Sequence, residues 1–378
     1  MRSVVLHQWL FGYELPDTII LLQDDGNIWI CATKKKIDFL KPAVGKDEDF
    51  TIHLLLRNKE DGNDENYTTL LKQVSEKRND DSVAKVGVIQ KERAGNKESS
   101  KAAIVSSYEE KLDGAMEAKD IELVDATHGI GIIMAVKDDE ERDLMKKSSV
   151  LSNKVMKHGF VKRLEDIIEE ETNITNDVFA SQMNDVLEDP NQIKLNVPPD
   201  DVQPCYFPIV QSGGKYDLKV SAQSSSTALS HDIIIVSLGA RYKLYCSNIT
   251  RTFLVDPPKK VSQTYEVLVE VQEACLKAMQ PGQPLKAVYK AAVNYLKTNG
   301  HEDLVDKLPK TLGFAQGLEF RDSTLLLSSK NSVQLKTGMV FCLSIGFQNL
   351  ELNESILSNT PNNSPVRTEF TQTCIQRN

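Results

Sequence analysis

The hydrophobic pattern in the middle of the chain predicts a pair of antiparallel strands. Ile233–Ala240 is almost entirely apolar, and Tyr245–Val255 alternates in part and carries threonine and aromatic residues that suit a pleated surface. The polar Arg241–Lys243 segment lies near the turn between them. Ser237 and Asn248 are small polar residues in these apolar surroundings. We expect them to meet across the hairpin in a cavity, because a buried polar group needs a partner.

The first part of the chain alternates between strand and helix patterns, which predicts an α/β lobe over residues 1–136. The segment Trp9–Phe39 reads as strands, and Asp24–Asn27 has the composition of a hairpin turn within it. The lysine run Lys34–Lys36 is then a solvated turn, with a small basic contact as the alternative. The other predicted elements of this lobe are Thr51–Leu56, Val83–Ile89, Ile121–Val124 and Gly131–Val136 as strands, and Tyr67–Lys77 and Tyr108–Ala118 as helices.

Helical patterns open a second domain, which we place at residues 137–348. The segment Lys137–Ser149 has acids in its first turn and lysines later, as the helix dipole prefers. Further helices are expected at Arg163–Glu170, Val178–Leu187, within Pro257–Pro284 and around Val288–Leu296, and strands within Cys205–Val220. In the Pro257–Pro284 helix, an apolar stripe recurs at helical spacing and predicts a core-facing side, with the members Leu268, Val271, Cys275, Ala278 and Met279. Residues 349–378 are polar and without period, which predicts disorder.

Composition and charge narrow the possible functions only slightly. The 378 residues suffice for two ordinary domains, and 40% hydrophobic with 26% charged residues is typical of a soluble globular protein. The net charge of −9 mildly favours a basic partner and argues against nucleic acid. The cysteines are scattered without a C-x-x-C motif, which indicates reduced thiols in an intracellular compartment. No stretch approaches the roughly 20 apolar residues of a membrane span, so no membrane contact is expected.

Four phrases resemble those of the pita-bread metallopeptidases, the family of creatinase, prolidase and aminopeptidase P. In chain order they are Cys205–Val220, Ile233–Val255, Leu312–Asp322 and Lys336–Phe347. The resemblance implies a helix-covered, curved antiparallel sheet, so the expected fold class is an α/β lobe followed by an α+β pita-bread domain. Gly313, Gly317, Gly338, Met339 and Gly346 keep the backbone frame of the last two phrases.

The positions at which the family carries its metal ligands hold other residues here. The resemblance maps two aspartates, a histidine and a glutamate onto Ser237, Asn248, Phe314 and Ser344, and the fifth ligand is not recognisable. Leu218 and Lys219 stand near the position of a substrate-contacting histidine. Neutral hydroxyls and an amide do not balance two divalent ions. We therefore expect no bound metal, no cofactor and no catalytic residue.

A sequence that keeps the glycines of this family but lacks its metal ligands resembles one group of pita-bread proteins, the large subunits of the FACT histone chaperone complex. The unbroken run Trp9–Leu15 resembles their N-terminal lobe, and the likeness covers roughly residues 9–348. It implies a catalytically inactive, histone-binding module that reorganises nucleosomes in transcription elongation, DNA replication and DNA repair, located in the nucleus on chromosomes. Core histones are the implied partners, without direct binding to nucleic acid.

The same resemblance carries two expectations about missing parts. An HMG-box subunit is a partner of the full-length relatives, through a domain not recognised in this sequence. The N-terminal lobe is expected to be truncated at its start, without the family's first helix and strand.

Two other readings remain open on the sequence. One is an active intracellular metallo-aminopeptidase or prolidase, which the replaced ligands argue against. The other is a truncated product without function, whose unpaired sheet edge would promote aggregation. Within the favoured reading we hypothesise that the four replaced positions mark a cleft for basic histone segments.

Overall fold

A computed structural model describes residues 2–45, 48–58, 62–76, 83–90, 92, 103–214, 216–219, 221–351 and 367–374. The chain divides into two compact units, Met1–Ile130 and Gly131–Asn378, where the sequence placed the boundary at Val136. Within the described ranges, no helix combines the length and apolar character needed to cross a bilayer.

The first unit is an α/β lobe. Its strands are β1 Ile19–Leu22, β2 Asn27–Ala32, β3 Thr51–Leu56, β4 Ala84–Val88 and β5 Ile121–Asp125, and its helices are α1 Arg2–Phe11, α2 Lys34–Leu40, α3 Asp64–Ser75 and α4 Ala103–Glu117. Helix α5, Thr127–Ala135, crosses the division between the units. Strand β2 pairs antiparallel with β1 and parallel with β3, and β4 pairs parallel with β5.

The predicted hairpin turn joins β1 to β2. Successive side chains of β2 point to opposite faces of the sheet and belong to two different hydrophobic clusters. Gly26 has a φ of +85°, a backbone region that favours glycine. Ile30 and Ala32 pack on one face of the sheet with Leu40, whereas Cys31 packs on the other with Tyr67. This period of two is what a sheet covered on both faces requires.

Three expectations for the first 136 residues are wrong, two strand segments and one turn. Trp9 lies in α1, and the lysine run Lys34–Lys36 forms the first turn of α2 rather than a solvated turn. Ile37 and Leu40, three residues apart, are the buried positions of α2, so the spacing there is helical. Gly131–Val136 is helical through Ala135, because a short continuous apolar run does not distinguish a buried helix from a strand.

The second unit packs helices on three antiparallel sheets. Its strands are β6 Val202–Pro204, β7 Ile209–Gln211, β8 Ile233–Leu238, β9 Ala240–Tyr242, β10 Tyr245–Cys246, β11 Ile249–Leu254, β12 Thr311–Ala315, β13 Leu326–Ser328, β14 Phe341–Glu351 and β15 Arg367–Cys374. Its helices are α6 Asp139–Lys154, which continues into a π-helix at Val155–Val161, then α7 Lys162–Glu169, α8 Asn176–Glu188, α9 Lys259–Ala278 and α10 Lys286–Thr298. The strand orders are β10-β9-β6, β11-β8-β7 and β13-β12-β14-β15.

The sequence located the helices of this unit well. Three of the five stripe residues of α9 are buried in one hydrophobic cluster with the inward face of α10, whereas Ala278 and Met279 are partly buried. The buried members are Leu268, Val271, Cys275, Val288, Ala292 and Leu296. Helix α6 begins with a capping box: Glu141 N–H donates to Asp138 Oδ1 at 2.8 Å, and Asp138 N–H donates to Glu141 Oε2 at 3.1 Å. The acids that open α6 therefore stabilise its N-terminus.

The end of the chain differs from the predicted disorder where the structure describes it. Strand β14 runs on to Glu351, and Arg367–Cys374 pairs antiparallel with it, with Phe347 opposite Phe370. The segment RTEFTQTC is rich in threonine and contains an aromatic residue, a composition that suits an edge strand. Its polar surroundings concealed this pattern. The rest of the predicted tail lies outside the described residues.

Candidate functional site: a cavity between the central strands

The strand pair at the centre of the second unit is interrupted at one glycine. Strand β8 pairs with β11 in a register that sets Ser237 opposite Thr250. After Leu238 the chain leaves this sheet, and β9 pairs with β10 instead. A Cβ atom on Gly239 would lie 2.5 Å from the carbonyl oxygen of Ser247, so only glycine fits this crossing. The break leaves Asn248 outside both ladders.

Ser237 and Asn248 are joined through a tyrosine that the sequence did not single out. The hydroxyl of Tyr206 donates a hydrogen bond to Asn248 Oδ1 and lies 2.6 Å from Ser237 Oγ. Because this phenol has one proton, Ser237 donates to the tyrosine oxygen and is left to accept from Thr250 Oγ1, at 2.8 Å. Burial raises the pKa of Tyr206 well above its usual range, so the phenol stays protonated.

The amide of Asn248 and the phenylalanine at position 314 complete this region. Asn248 Nδ2 lies 3.6 Å from Cys342 Sγ, and Cys342 stands opposite Phe314 in the β12–β14 ladder. Phe314 is only 5% exposed, and its ring packs against Phe320 with the centroids 5.5 Å apart. A cation–π contact places the guanidinium carbon of Arg321 5.5 Å from the centroid of the Phe314 ring.

All four sequence-predicted positions line one cavity of about 40 Å³, namely Ser237, Asn248, Phe314 and Ser344. A volume of this size accommodates a few water molecules. The expected replacements Leu218 and Lys219 line the same cavity. Sequence reasoning missed the other lining residues: Tyr206, Ile209, Gln211, Asp217, Ile235, Thr250 and Phe320. The available signal for Tyr206 is its place in the Cys205–Val220 phrase, for which the resemblance indicates only a histidine position.

Two cysteines separated in sequence meet beside this cavity. Cys205 precedes Tyr206; its thiol lies close to that of Cys246 and donates a hydrogen bond to the carbonyl oxygen of Ala240 at 3.1 Å. Arg241 Nε lies 3.3 Å from Cys246 Sγ. The contact with the Cys205 thiol and the charge of Arg241 lower the pKa of Cys246, while the same contact raises that of Cys205. No disulfide joins the described cysteines Cys31, Cys205, Cys246, Cys275 and Cys342.

Glycines bring the flanking strands together as the phrases predicted. Gly313 has a φ of +139°, and a Cβ atom there would lie 2.1 Å from the carbonyl oxygen of Cys342. The close approach of β12 and β14 beside Phe314 therefore depends on glycine. Across the portions of the chain that the structure describes, no group of three or more His, Cys, Asp or Glu residues could hold a metal ion.

Comparison with known proteins defines the class first. The family profile described as metallopeptidase family M24 matches residues 143–371. The X-Pro aminopeptidase of Thermotoga maritima superposes with a TM-score of 0.65 at 16% identity, covering 98% of this chain and 89% of that one. At this identity the likeness shows the fold alone. The fold is thus an N-terminal lobe followed by an M24 pita-bread domain, as the four phrases predicted.

A second set of matches identifies the branch of this class. The profile described as the N-terminal lobe domain of FACT complex subunit SPT16 matches residues 1–129. The FACT complex subunit SPT16 of Oryza sativa subsp. japonica is 36% identical over 93% of this chain, and that of Arabidopsis thaliana is likewise 36% identical over 93%. The N-terminal domain of SPT16 from Cicer arietinum (chickpea) superposes with a TM-score of 0.85 at 33% identity, covering 99% of this chain and 84% of that chain.

The chain therefore belongs to the family of FACT complex subunit SPT16. It spans about a third of the length of these curated relatives, 33% of the rice protein and 32% of the Arabidopsis protein.

Proposed function

We propose that this chain is a catalytically inactive, histone-binding module of a FACT-type histone chaperone. It acts in nucleosome reorganisation during transcription elongation, DNA replication and DNA repair, in the nucleus on chromosomes. Family membership supports the assignment to FACT. The observation that supports the inactive assignment is the closed hydrogen-bond network of Tyr206, Ser237, Asn248 and Thr250, which includes two positions that the resemblance maps onto metal ligands.

The residues at the four positions do not fit a pair of divalent ions. Their oxygen donors are neutral: Asn248 Oδ1 already accepts a hydrogen bond from Tyr206, and Ser237 Oγ accepts one from Thr250. Phe314 offers carbon, and its ring is packed against Phe320. Divalent metals in such sites require several charged oxygen ligands. We accordingly derive no hydrolytic step for this chain.

Charge supports a basic partner. The chain carries a net charge of −9, and Asp217 places a carboxylate on the wall of the cavity, where it forms an exposed ion pair with Lys219 at 3.7 Å. Histone segments are strongly basic, so attraction between the two is expected and should weaken as salt screens it over about 8 Å. Contact with an HMG-box FACT subunit is proposed for the full-length protein and is not assigned to a surface of this chain.

Binding of the purified chain to core histones, titrated over ionic strength, tests this proposal. We expect saturable binding that weakens with salt. Asp217→Lys should weaken it more than the control Asp185→Lys, which makes the same charge change at an exposed position of α8 away from the cavity lining. Equal effects of the two variants would show that net charge rather than the cavity matters. Manganese- or cobalt-dependent cleavage of an Xaa-Pro peptide would contradict the inactive assignment.

A further inference from the structure

Helix α2 in the first unit leaves one face to solvent, and that face carries an aromatic side chain. Ile37 and Leu40 are buried, whereas Phe39 is 54% exposed. Lys35, four residues earlier and therefore on the same side of the helix, is exposed as well. A single exposed apolar side chain is common on protein surfaces, so the significance of Phe39 depends on its surroundings.

The Phe39 ring is held in place by a second aromatic residue. It packs edge-on against Tyr13 with the ring centroids 4.4 Å apart. Tyr13 is partly buried and packs against the cluster that contains Ile37 and Leu40. The exposed ring is therefore fixed in position before any partner arrives, which lowers the entropic cost of binding.

The charged residues at the start of α2, near the Phe39 ring, destabilise the helix. Lys34, Lys35 and Lys36 occupy the first turn of α2, where the helix dipole favours acids, and Thr33 at the N-cap makes no side-chain capping hydrogen bond. The one acid in the helix, Asp38, pairs with Lys41 at 2.6 Å. In the part of the chain that the structure describes, the three lysines of the first turn form no ion pair.

The positive charge of Arg57 also acts on one of the lysines of α2. Burial and the charge of Arg57 lower the pKa of Lys36, against the opposing effect of Asp17. Arg57 follows β3, and its buried Nε atom has no hydrogen-bond partner among the described residues. Three lysines in the first turn and an N-cap without a side-chain hydrogen bond depart from the local rules of helix stability, a pattern that proteins show at functional sites.

We propose that the α2 patch, formed by Tyr13, Lys35 and Phe39, docks an acidic peptide segment of a partner protein that carries one large apolar side chain. The apolar side chain lies against the Phe39 and Tyr13 rings, and a flanking carboxylate meets Lys35. The acidic peptide has the opposite charge to a basic histone segment, so the α2 patch and the cavity serve different partners.

The chemistry of the patch favours a peptide over nucleic acid. A nucleic acid carries phosphates along its whole length and would extend past the patch onto a chain whose net charge is −9. A short acidic peptide meets the local positive charge and ends there. The fixed aromatic pair offers an apolar anchor, which a phosphate backbone does not use.

Fluorescence anisotropy with the whole chain tests the proposal. The probe is a short fluorescein-labelled peptide with one central phenylalanine flanked by aspartate and glutamate, and the control peptide has alanine at the centre. We expect saturable binding of the first that weakens with salt, and weaker binding of the second. Phe39→Ala and Lys35→Glu should each raise the Kd about tenfold, as loss of an interface anchor does. Lys35→Arg should retain binding because it keeps the charge.

Matched variants on the opposite side of the first unit's sheet complete the design. Met116→Ala removes a 40% exposed apolar side chain from α4, and Lys72→Glu reverses an exposed lysine of α3. Neither should change the Kd. Unchanged circular dichroism in all variants shows that they fold. The proposal is overturned if the wild-type chain does not bind the probe, if the control variants lose as much as the patch variants, or if an oligothymidylate binds the patch more tightly than the peptide.

Discussion

Tyr206 holds the candidate site together at the scale of single residues. Its hydroxyl contacts both Ser237 and Asn248. Ser237 belongs to the β8–β11 strand pair, whereas Asn248 lies just outside it, so the two residues are not paired with each other. Removing that oxygen leaves two polar side chains in a small cavity with fewer partners. The free-energy cost of leaving a buried polar group without a partner is larger than the net stabilisation that its hydrogen bond provided.

Tyr206→Phe should therefore destabilise the protein by about 1–3 kcal/mol, measured by urea denaturation. Tyr289→Phe is the matched control: it removes the same atom from a partly buried tyrosine for which the described residues supply no hydrogen-bond partner. The control should shift stability by less than about 0.5 kcal/mol. Equal losses in the two variants would mean that the network around Tyr206 contributes nothing specific.

The sequence was informative about this site only where a residue type was unusual for its surroundings. Ser237 and Asn248 stood out as polar residues among apolar ones, and both line the cavity. Their direct contact was not realised, because the register pairs Ser237 with Thr250 and a tyrosine spans the gap. Tyr206 lies between other aromatic and apolar residues in sequence, so nothing local distinguishes it from core. Its role follows from a contact across the fold, which periodicity does not encode.

At the scale of elements, one glycine sets how closely two strands approach. Gly313 in β12 has a φ of +139°, and its missing Cβ leaves room for the carbonyl oxygen of Cys342 in β14. A methyl group 2.1 Å from that oxygen cannot be accommodated by a rotamer change, since the clash is with backbone. The strands would have to separate beside Phe314.

Gly313→Ala should thus destabilise the second unit by about 3 kcal/mol or more, seen as a lower midpoint in urea unfolding. Gly159→Ala in the π-helix provides the comparison within the same unit. Its Cβ atom would meet Val186 at 3.5 Å, an ordinary van der Waals contact, so its effect should stay within about 1 kcal/mol. A tolerated Gly313→Ala would show that the β12–β14 spacing is free to adjust.

Elements with a strong period were predictable from sequence and those without one were not. The stripes of α9 and α10 identified buried positions correctly, because a repeat of three to four residues has one structural interpretation. Helix α2 was missed since its lysines and its short length concealed the buried pair Ile37 and Leu40. Strand β15 was missed because its pairing with β14 depends on a partner edge that sequence does not show.

At the scale of the whole molecule, the two units have separate hydrophobic cores. The cluster around Tyr67 and Leu70 consists of residues from the first unit, and the cluster around Val288 and Leu296 lies in the second. Each core is assembled from its own helices and sheets. A domain with its own core is in principle able to unfold as one cooperative step.

We expect calorimetry of the whole chain to resolve two unfolding transitions that respond to different substitutions. Leu70→Ala should lower the Tm of one transition and Leu296→Ala that of the other, because each removes a fully buried side chain from only one core. Loss of a buried leucine costs about 2–5 kcal/mol, which corresponds to roughly 5–15 °C in units of this size. Each variant serves as the control for the other. A single transition that both substitutions move together would instead mean that the units unfold as one cooperative body, and the division near residue 130 would then describe geometry without energetic independence.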